Sequence, residues 1–432
     1  MAGLASARVG ALTVRHRWQA DASDQAALEA EIGRVLLGVM SQMRGTALKA
    51  AQLLSMESCF LPEGVKTQLA RASHQAVPLN RALIGKVFRQ AFGREPEEIY
   101  QHFEPTAFAA ASLGQVHRAR LQDGRWVAVK IQYPGMSATI ETDIALLRTA
   151  LRHVGKGLLK LPNPEVVEST LAEIRRQLLE EVDYTLEAER QQQFAAVLQD
   201  TRLVVADVVA SHTRPTVLTQ TLLVGQHLAD FRASQPAPAL VDAQGQALFD
   251  WLVRSAFVQG RIQADLHVGN VLFLGDGRVG LLDFGCTREL SPIFAQALAK
   301  SWVCHLEEPA PALGLFSAYK TLGLITPSLS LAQFEAQVLP AITPLLAWAT
   351  EPLTQTRFNY ASKSAVPLPS PESQGAVFSH VNAIPPEMIS FDRAWLGLTH
   401  LLQGLGARVD TRSAVDILRR AAQDLGPEES PS

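Results

Sequence analysis

Cysteine is scarce in this chain. Cys59, Cys286 and Cys304 are the three in 432 residues, scattered and odd in number, which argues against a disulfide framework and for a reducing compartment. No apolar run reaches the roughly 18 residues that mark a membrane-spanning helix, so none is expected. The formal net charge is only −3, which gives no electrostatic case for a nucleic-acid partner. The start, Met1 to Gly10, lacks the basic-then-apolar order of a secretory signal. A cytoplasmic location is expected, with peripheral contact at the inner face of a membrane left open. Internal repeats, sustained heptads and paired Cys/His metal spacings are missing as well.

What is present reads as globular: 47% apolar and 19% charged residues, over a length that suits two or three lobes. Helical periodicity runs from Gln25 through Ile32, Leu36, Met40, Met43, Ala47 and Leu54, with Lys49, Gln52 and Met56 near one stripe. Helices are expected over Asn80–Phe92, Pro96–Phe103, Gln244–Val258, Pro292–Leu306, Leu331–Leu339 and Phe391–Leu405. Pro164 to about Leu198 reads as one long helix, and the tail from Gly426 is polar. A hairpin is expected where Val116–Leu121 and Trp126–Ile131 flank Asp123-Gly124. Strand alternation puts Ala128 and Lys130 on one face and Val127, Val129 and Ile131 on the other. A lysine in an apolar strand needs an anion or incurs a large desolvation cost. An outward-pointing edge lysine is the ordinary alternative. On the long helix, Glu181 is the candidate partner of Lys130, while Asp183 and Glu187, four apart, share another face. Acidic runs on helices are more often simply solvated. Thr216–Thr219 is β-rich and leads toward Gly225, so it suits a last strand before a hinge at Gln220 to Val224.

The most informative stretch is Gln263–Gly285. Two apolar runs flank Asp276-Gly277, which suits a two-residue turn. That register pairs Gly275 with Arg278 and Asn270 with Asp283, bringing an amide and a carboxylate together at the open end, just after Asp265. Hard divalent cations take oxygen ligands of this kind, shared with substrate phosphates. A second carboxylate nearby accepts or orients a nucleophile's proton. A catalytic Asp, an Asn on metal and the Asp of Asp-Phe-Gly on metal are the trio of kinase-type phosphoryl transfer. A polar hairpin with solvated acids is the bland alternative.

Taken together, Lys130–Gly135, Ala109–Ser112 with Gln115-Val116-His117, and Leu282–Gly285 resemble the UbiB family of atypical kinases, nearest the coenzyme Q branch. The resemblance implies an α+β, two-lobed protein-kinase-like fold with a helical N-terminal extension and a mostly helical C-lobe. It suggests a flexible start over 1–24, the extension over 25–105, an N-lobe over 106–225, a C-lobe over 226–425 and a tail over 426–432. It further implies ATP and Mg2+ as cofactors, Lys130 with Glu181 as the nucleotide-binding pair, Asp265 as the catalytic aspartate, and Asn270 and Asp283 as metal ligands. Ala109, Ala110, Ala111, Ser112, Gln115, Ala128, Gln220 and Leu222 would surround the nucleotide. The alanine-rich turn stands where protein kinases have glycines, which implies ATP hydrolysis rather than transfer to protein. Lys49 and Gln52 match the family's Lys-x-Gly-Gln motif, with Ala51 for its glycine, and would cover the site with help from Asp183 and Glu187. Gly114 and Cys286 look like tolerated variation. Partners implied are quinone-biosynthesis proteins or lipid precursors. A phosphotransferase of the aminoglycoside or choline kinase type, and a nucleotide-binding scaffold without catalysis, remain as alternatives.

Overall fold

The structure, a computed structural model, describes residues 79–111, 113–155, 164–367 and 384–423, with Ile32, Gly33, Arg34, Ala50, Val65 and His380 as isolated positions. The expected covering residues Lys49 and Gln52, Ser112 of the alanine-rich turn, and the terminal tails lie outside the described residues. The chain divides into two compact units, one comprising residues 1–190 and 207–222, the other 191–206 and 223–432.

The first unit is built on a five-stranded antiparallel sheet. Helix α1 (Arg81–Phe92) begins where the Asn80 side chain accepts the Leu83 N–H and stops at Gly93, whose φ of 73° is a left-handed C-cap. After a short turn of helix, α2 (Pro96–Ile99), come β1 (His102–Phe103), β2 (Ala109–Ala111), β3 (Gly114–Arg120) and β4 (Trp126–Gln132). The expected helix over Pro96–Phe103 thus ends four residues early. Phe103 joins the sheet opposite Ala119 and buries its ring against Phe88 and Tyr100. The β3–β4 hairpin forms as its alternation dictates. Val127, Val129 and Ile131 pack with Val87 and Phe88 of α1 in one core.

Two long helices follow, α3 (Met136–Gly155) and α4 (Pro164–Glu181). The first of them was not anticipated from the sequence. Ile140, Ile144, Leu147 and Leu151 of α3 recur at four- and three-residue steps, as do Val167, Leu171, Ile174 and Leu178 of α4. Each therefore has one apolar stripe, and the two stripes bury each other. Ile32, Ala50 and Val65 of the N-terminal extension are buried in the same cluster. The long helix expected to continue to Leu198 is broken instead. Asp183 accepts the Thr185 N–H at 3.0 Å and starts a second helix, α5 (Tyr184–Val197). An aspartate competes for local backbone donors, so it favours a new N-cap over a helix interior.

The second unit takes β5 (Leu203–Val205). After it comes β6 (Val217–Thr221), which closes the first unit's sheet beside β4. Then follow β7 (Gly225–Gln226), α6 (Leu228–Ala233), α7 (Pro238–Phe257), β8 (Arg261–Gln263), β9 (Val271–Leu274), β10 (Val279–Leu281) and β11 (Thr287–Glu289). Its four-stranded sheet has the order β5-β10-β9-β7. The remaining helices, α8 (Pro292–Leu306), α9 (Ala312–Thr321), α10 (Leu339–Thr350), α11 (Pro386–Leu405) and α12 (Arg412–Ala422), enclose one large core. Helix α8 has the expected bounds, and the structure shows Ser291 capping it by accepting the Phe294 N–H, with Pro292 in its first turn. Among the described residues no helix is long and apolar enough to cross a membrane.

One register differs from the sequence expectation. In the β9–β10 hairpin Phe273 faces Val279 and Leu272 faces Gly280. Gly277 donates its N–H to the Leu274 carbonyl, and Leu274 pairs with Arg278. The loop is three residues long, Gly275-Asp276-Gly277, with Gly277 at φ 87°. A type I turn followed by a left-handed glycine is favourable in a hairpin, and it shifts every pair by one residue relative to a two-residue turn. Asn270 consequently lies opposite Leu282 rather than Asp283.

A buried polar chain ties the first sheet to its surroundings. His117 is fully buried, takes the Gln115 amide N–H on Nε2 at 2.7 Å and gives its Nδ1 proton to the Glu104 carbonyl at 2.8 Å. Burial lowers its pKa below 6.5. Protonated Nε2 would face another donor, so the folded state favours the neutral ring. The unfolded chain then binds the extra proton first. The contribution is complete above about pH 6.5 and is lost as pH falls toward the lower folded value. The denaturation midpoint is expected to drop between about pH 7.5 and pH 5.5, with a smaller drop in His117→Gln; an equal drop in the variant contradicts this assignment.

Candidate functional site

In the first unit the site is the face of β4 that carries Ala128 and Lys130. Lys130 is buried, and its Nζ donates to Glu187 Oε1 at 2.9 Å and Oε2 at 2.8 Å. The same ammonium lies 4.9 Å from the centre of the Tyr184 ring. Lys130 thus has the anionic partner its position demands, but the partner is Glu187 and not Glu181. The break at Asp183 is the reason. A helix restarting at Tyr184 presents Tyr184 and Glu187, three apart, on one side toward the lysine. Glu181 stays half-buried at the end of α4. Asp183 serves as the cap and Glu187 pairs with the lysine, while the covering helix that both were expected to meet lies outside the described residues. Gln132 reinforces the arrangement by donating to the Val182 carbonyl at 2.9 Å.

Other expected nucleotide contacts divide by strand register. Val116 pairs with Lys130 and Arg118 with Ala128, so these share the lysine's face. Gln115 pairs with Ile131 and points the opposite way, where its Oε1 accepts the Leu79 N–H at 2.8 Å. It is a structural glutamine, not a nucleotide contact. Ala109–Ala111, expected as a turn, form strand β2 against β3 and remain largely exposed. Gln220 pairs with Ala128, and the Leu222 N–H is taken by the Trp126 carbonyl at 3.1 Å. Gly114 is not free to vary as expected. A Cβ there would lie 2.2 Å from the Ile131 carbonyl oxygen and 2.9 Å from the Tyr184 hydroxyl, so β3 reaches β4 closely because no side chain intervenes.

In the second unit two loops bring Asp265, Asn270 and Asp283 into one hydrogen-bonded system. Asp265 and Asn270 lie in the connection from β8 to β9, Asn270 immediately before β9, and Asp283 follows β10. The Asn270 amide donates to the Asp265 carbonyl at 3.0 Å, which orients its Oδ1 as the atom for a cation. Gln263 donates to the Leu282 and Asp283 carbonyls at 3.2 and 2.7 Å, tying the aspartate's backbone to β8. Asp283 has φ 58°, a left-handed conformation that an aspartate tolerates better than most residues. Its Oδ1 accepts the Gly285 N–H at 3.0 Å. The one-residue change in hairpin register therefore does not separate Asn270 from Asp283's loop, because Leu282 donates to the Asn270 carbonyl at 2.8 Å.

Two residues of this network were missed. Gln263 carried no periodic signal beyond its strand. Arg393 lies on α11, 128 positions downstream, and donates to Asp265 Oδ1 at 3.2 Å. Nothing local distinguishes that arginine from any other on an amphipathic helix.

The donor set can be tested against Mg2+. Among the described residues there is no cluster of three or more His, Cys, Asp or Glu able to hold a metal. One amide oxygen and one carboxylate instead match an ion that completes its shell with phosphate oxygens and water. Asn270 and Asp283 fit that requirement.

The family described as "ABC1 atypical kinase-like domain" matches residues 71–311. The chain is similar to "Atypical kinase COQ8, mitochondrial" of Saccharomyces cerevisiae, 32% identical over 59% of this chain and 50% of that one. It is also similar to the protein of that name in Schizosaccharomyces pombe, 33% identical over 68% and 48% of the two chains. "Atypical kinase coq-8, mitochondrial" of Caenorhabditis elegans is 31% identical over 60% of this chain and 34% of its own. The chain thus spans a third to a half of these relatives. Among solved structures, the chain resembles Rv3197 of Mycobacterium tuberculosis, in a structure titled as its erythromycin complex. The TM-score is 0.64 and the identity 24%, covering 90% of this chain and 92% of that one, which speaks for the fold alone. The fold is α+β and kinase-like, and the chain belongs to the ABC1 (UbiB/aarF) family of atypical kinases.

Proposed function

We propose that this chain binds ATP with Mg2+ and hydrolyses it, or passes its terminal phosphoryl group to an acceptor, in support of quinone or isoprenoid-lipid synthesis. The observation that carries the nucleotide part is the Asp265–Asn270–Asp283 network. It holds an amide oxygen and a carboxylate for a hard cation, with a second carboxylate in the adjoining loop. Lys130, kept in place by Glu187, supplies the positive charge for the nucleotide's phosphates. Asp265, its carboxylate fixed by Arg393, orients the nucleophile and accepts its proton. Mg2+, when bound, neutralises charge on the phosphate oxygens. The quinone part rests on family likeness, and quinone-biosynthesis proteins or lipid precursors are its proposed partners.

The test is a titration of the purified chain with ATP, following melting temperature and released phosphate. ATP with Mg2+ should raise the melting temperature progressively with nucleotide concentration. Excess EDTA should remove most of that rise and all phosphate release. No stabilisation by ATP at any Mg2+ concentration would sink the nucleotide reading. Unchanged quinone levels in a deletion strain would sink the quinone part.

A further inference from the structure

Helix α11 passes unusually close to the loop that carries Asp265. A Cβ built on Gly397 would lie 1.8 Å from the Leu266 carbonyl oxygen and 2.9 Å from its carbon, so backbone meets backbone there. Arg393, one turn earlier on the same face, reaches Asp265. Leu266 is the next residue after Asp265, and the Asp265 carbonyl in turn holds the Asn270 amide. The helix itself has no room to retreat. Phe391, Ala394, Trp395, Leu398, Leu401 and Leu402 are buried in the second unit's core, and Trp302 packs edge-on against both aromatic rings.

We propose that Gly397 is a positioning residue for Asp265: its missing side chain lets α11 seat the Asp265–Asn270 loop and lets Arg393 reach the carboxylate. A methyl group at 397 pushes the loop, because the helix is fixed from behind. The displacement needed is on the order of 1 Å or more, a scale at which misplaced catalytic groups lose about 100-fold in rate. By sequence alone the opposite is expected, since alanine is the better helix former. Gly404 on the same helix gives the contrast, because its added Cβ would meet the Leu228 side chain, which can move. The catalytic half of this inference rests on the ATPase reading above; the loop-seating half does not.

The experiment compares Gly397→Ala, Gly404→Ala, Arg393→Gln and the Gly397→Ala/Arg393→Gln double variant in the full chain. Hydrogen exchange of the segment 264–271 reads the loop independently of activity. Gly397→Ala and Arg393→Gln should both speed it, and Gly404→Ala should not. In Mg-ATP hydrolysis, Gly397→Ala should lower kcat about 100-fold with KM for ATP within about twofold. The double variant should lose about as much as the worse single one, because both act through Asp265. If Gly397→Ala does not fold, Arg393→Gln alone still decides: unchanged exchange in 264–271 overturns the proposal. Unchanged exchange in a folded Gly397→Ala also overturns it, as do fully additive kcat losses. A wild-type chain inert toward ATP, yet showing the expected exchange pattern, leaves the positioning role standing and removes the ATPase reading instead.

Discussion

Lys130→Ala is expected to destabilise the chain by about 3–5 kcal/mol, because it takes the lysine's charge away from a buried carboxylate. The Glu187 side chain is 3% exposed and that of Lys130 8%, so the pair is held away from bulk water. The Tyr184 ring would lose its cation as well. Unfolding in urea, read as a midpoint shift at constant slope, measures the loss. A double replacement by apolar residues of similar volume, Lys130→Met with Glu187→Leu, should recover most of it, since a buried ion pair and a packed apolar pair are often of similar stability. ATP affinity should not recover, because the charge for the phosphates is gone. The experiment also separates the two candidate carboxylates. If Glu181→Gln rather than Glu187→Gln reproduced the lysine's phenotype, the pairing described here would be wrong.

Asp283→Asn should cut Mg-ATP hydrolysis by at least about 100-fold, the scale of removing one electrostatic group at a reacting centre. The melting temperature should stay close to that of the parent. Asparagine tolerates φ near 58° and keeps an oxygen for the Gly285 N–H, so the fold has little reason to respond. Asp283→Ala is the less clean variant, because a left-handed alanine adds roughly 1–2 kcal/mol of strain. Hydrolysis at the parental rate in Asp283→Asn would refute the metal assignment. Loss of hydrolysis with full complementation of a deletion strain would instead point to a scaffold that uses nucleotide without turning it over.

The sequence by itself determined those elements whose causes are local. The β3–β4 hairpin and the shared face of Ala128 and Lys130 follow from alternation, the bounds of α8 from its apolar pattern, and a short motif singles out Asp265, Asn270 and Asp283 as candidates. Lys130's need for a carboxylate was also legible, since an apolar strand does not tolerate a lone charge. Which carboxylate it takes was not, because a continuous helix and one restarted at Asp183 differ in phase, and only the fold shows the break. The hairpin register turned on a single loop residue, and two- and three-residue turns are both compatible with Gly275-Asp276-Gly277. The face taken by Gln115 followed from its pairing with Ile131. Tertiary structure alone decided the contacts of α11. Arg393 and Gly397 meet Asp265 and Leu266 across more than a hundred residues, and no periodicity encodes a contact between segments so far apart in the chain.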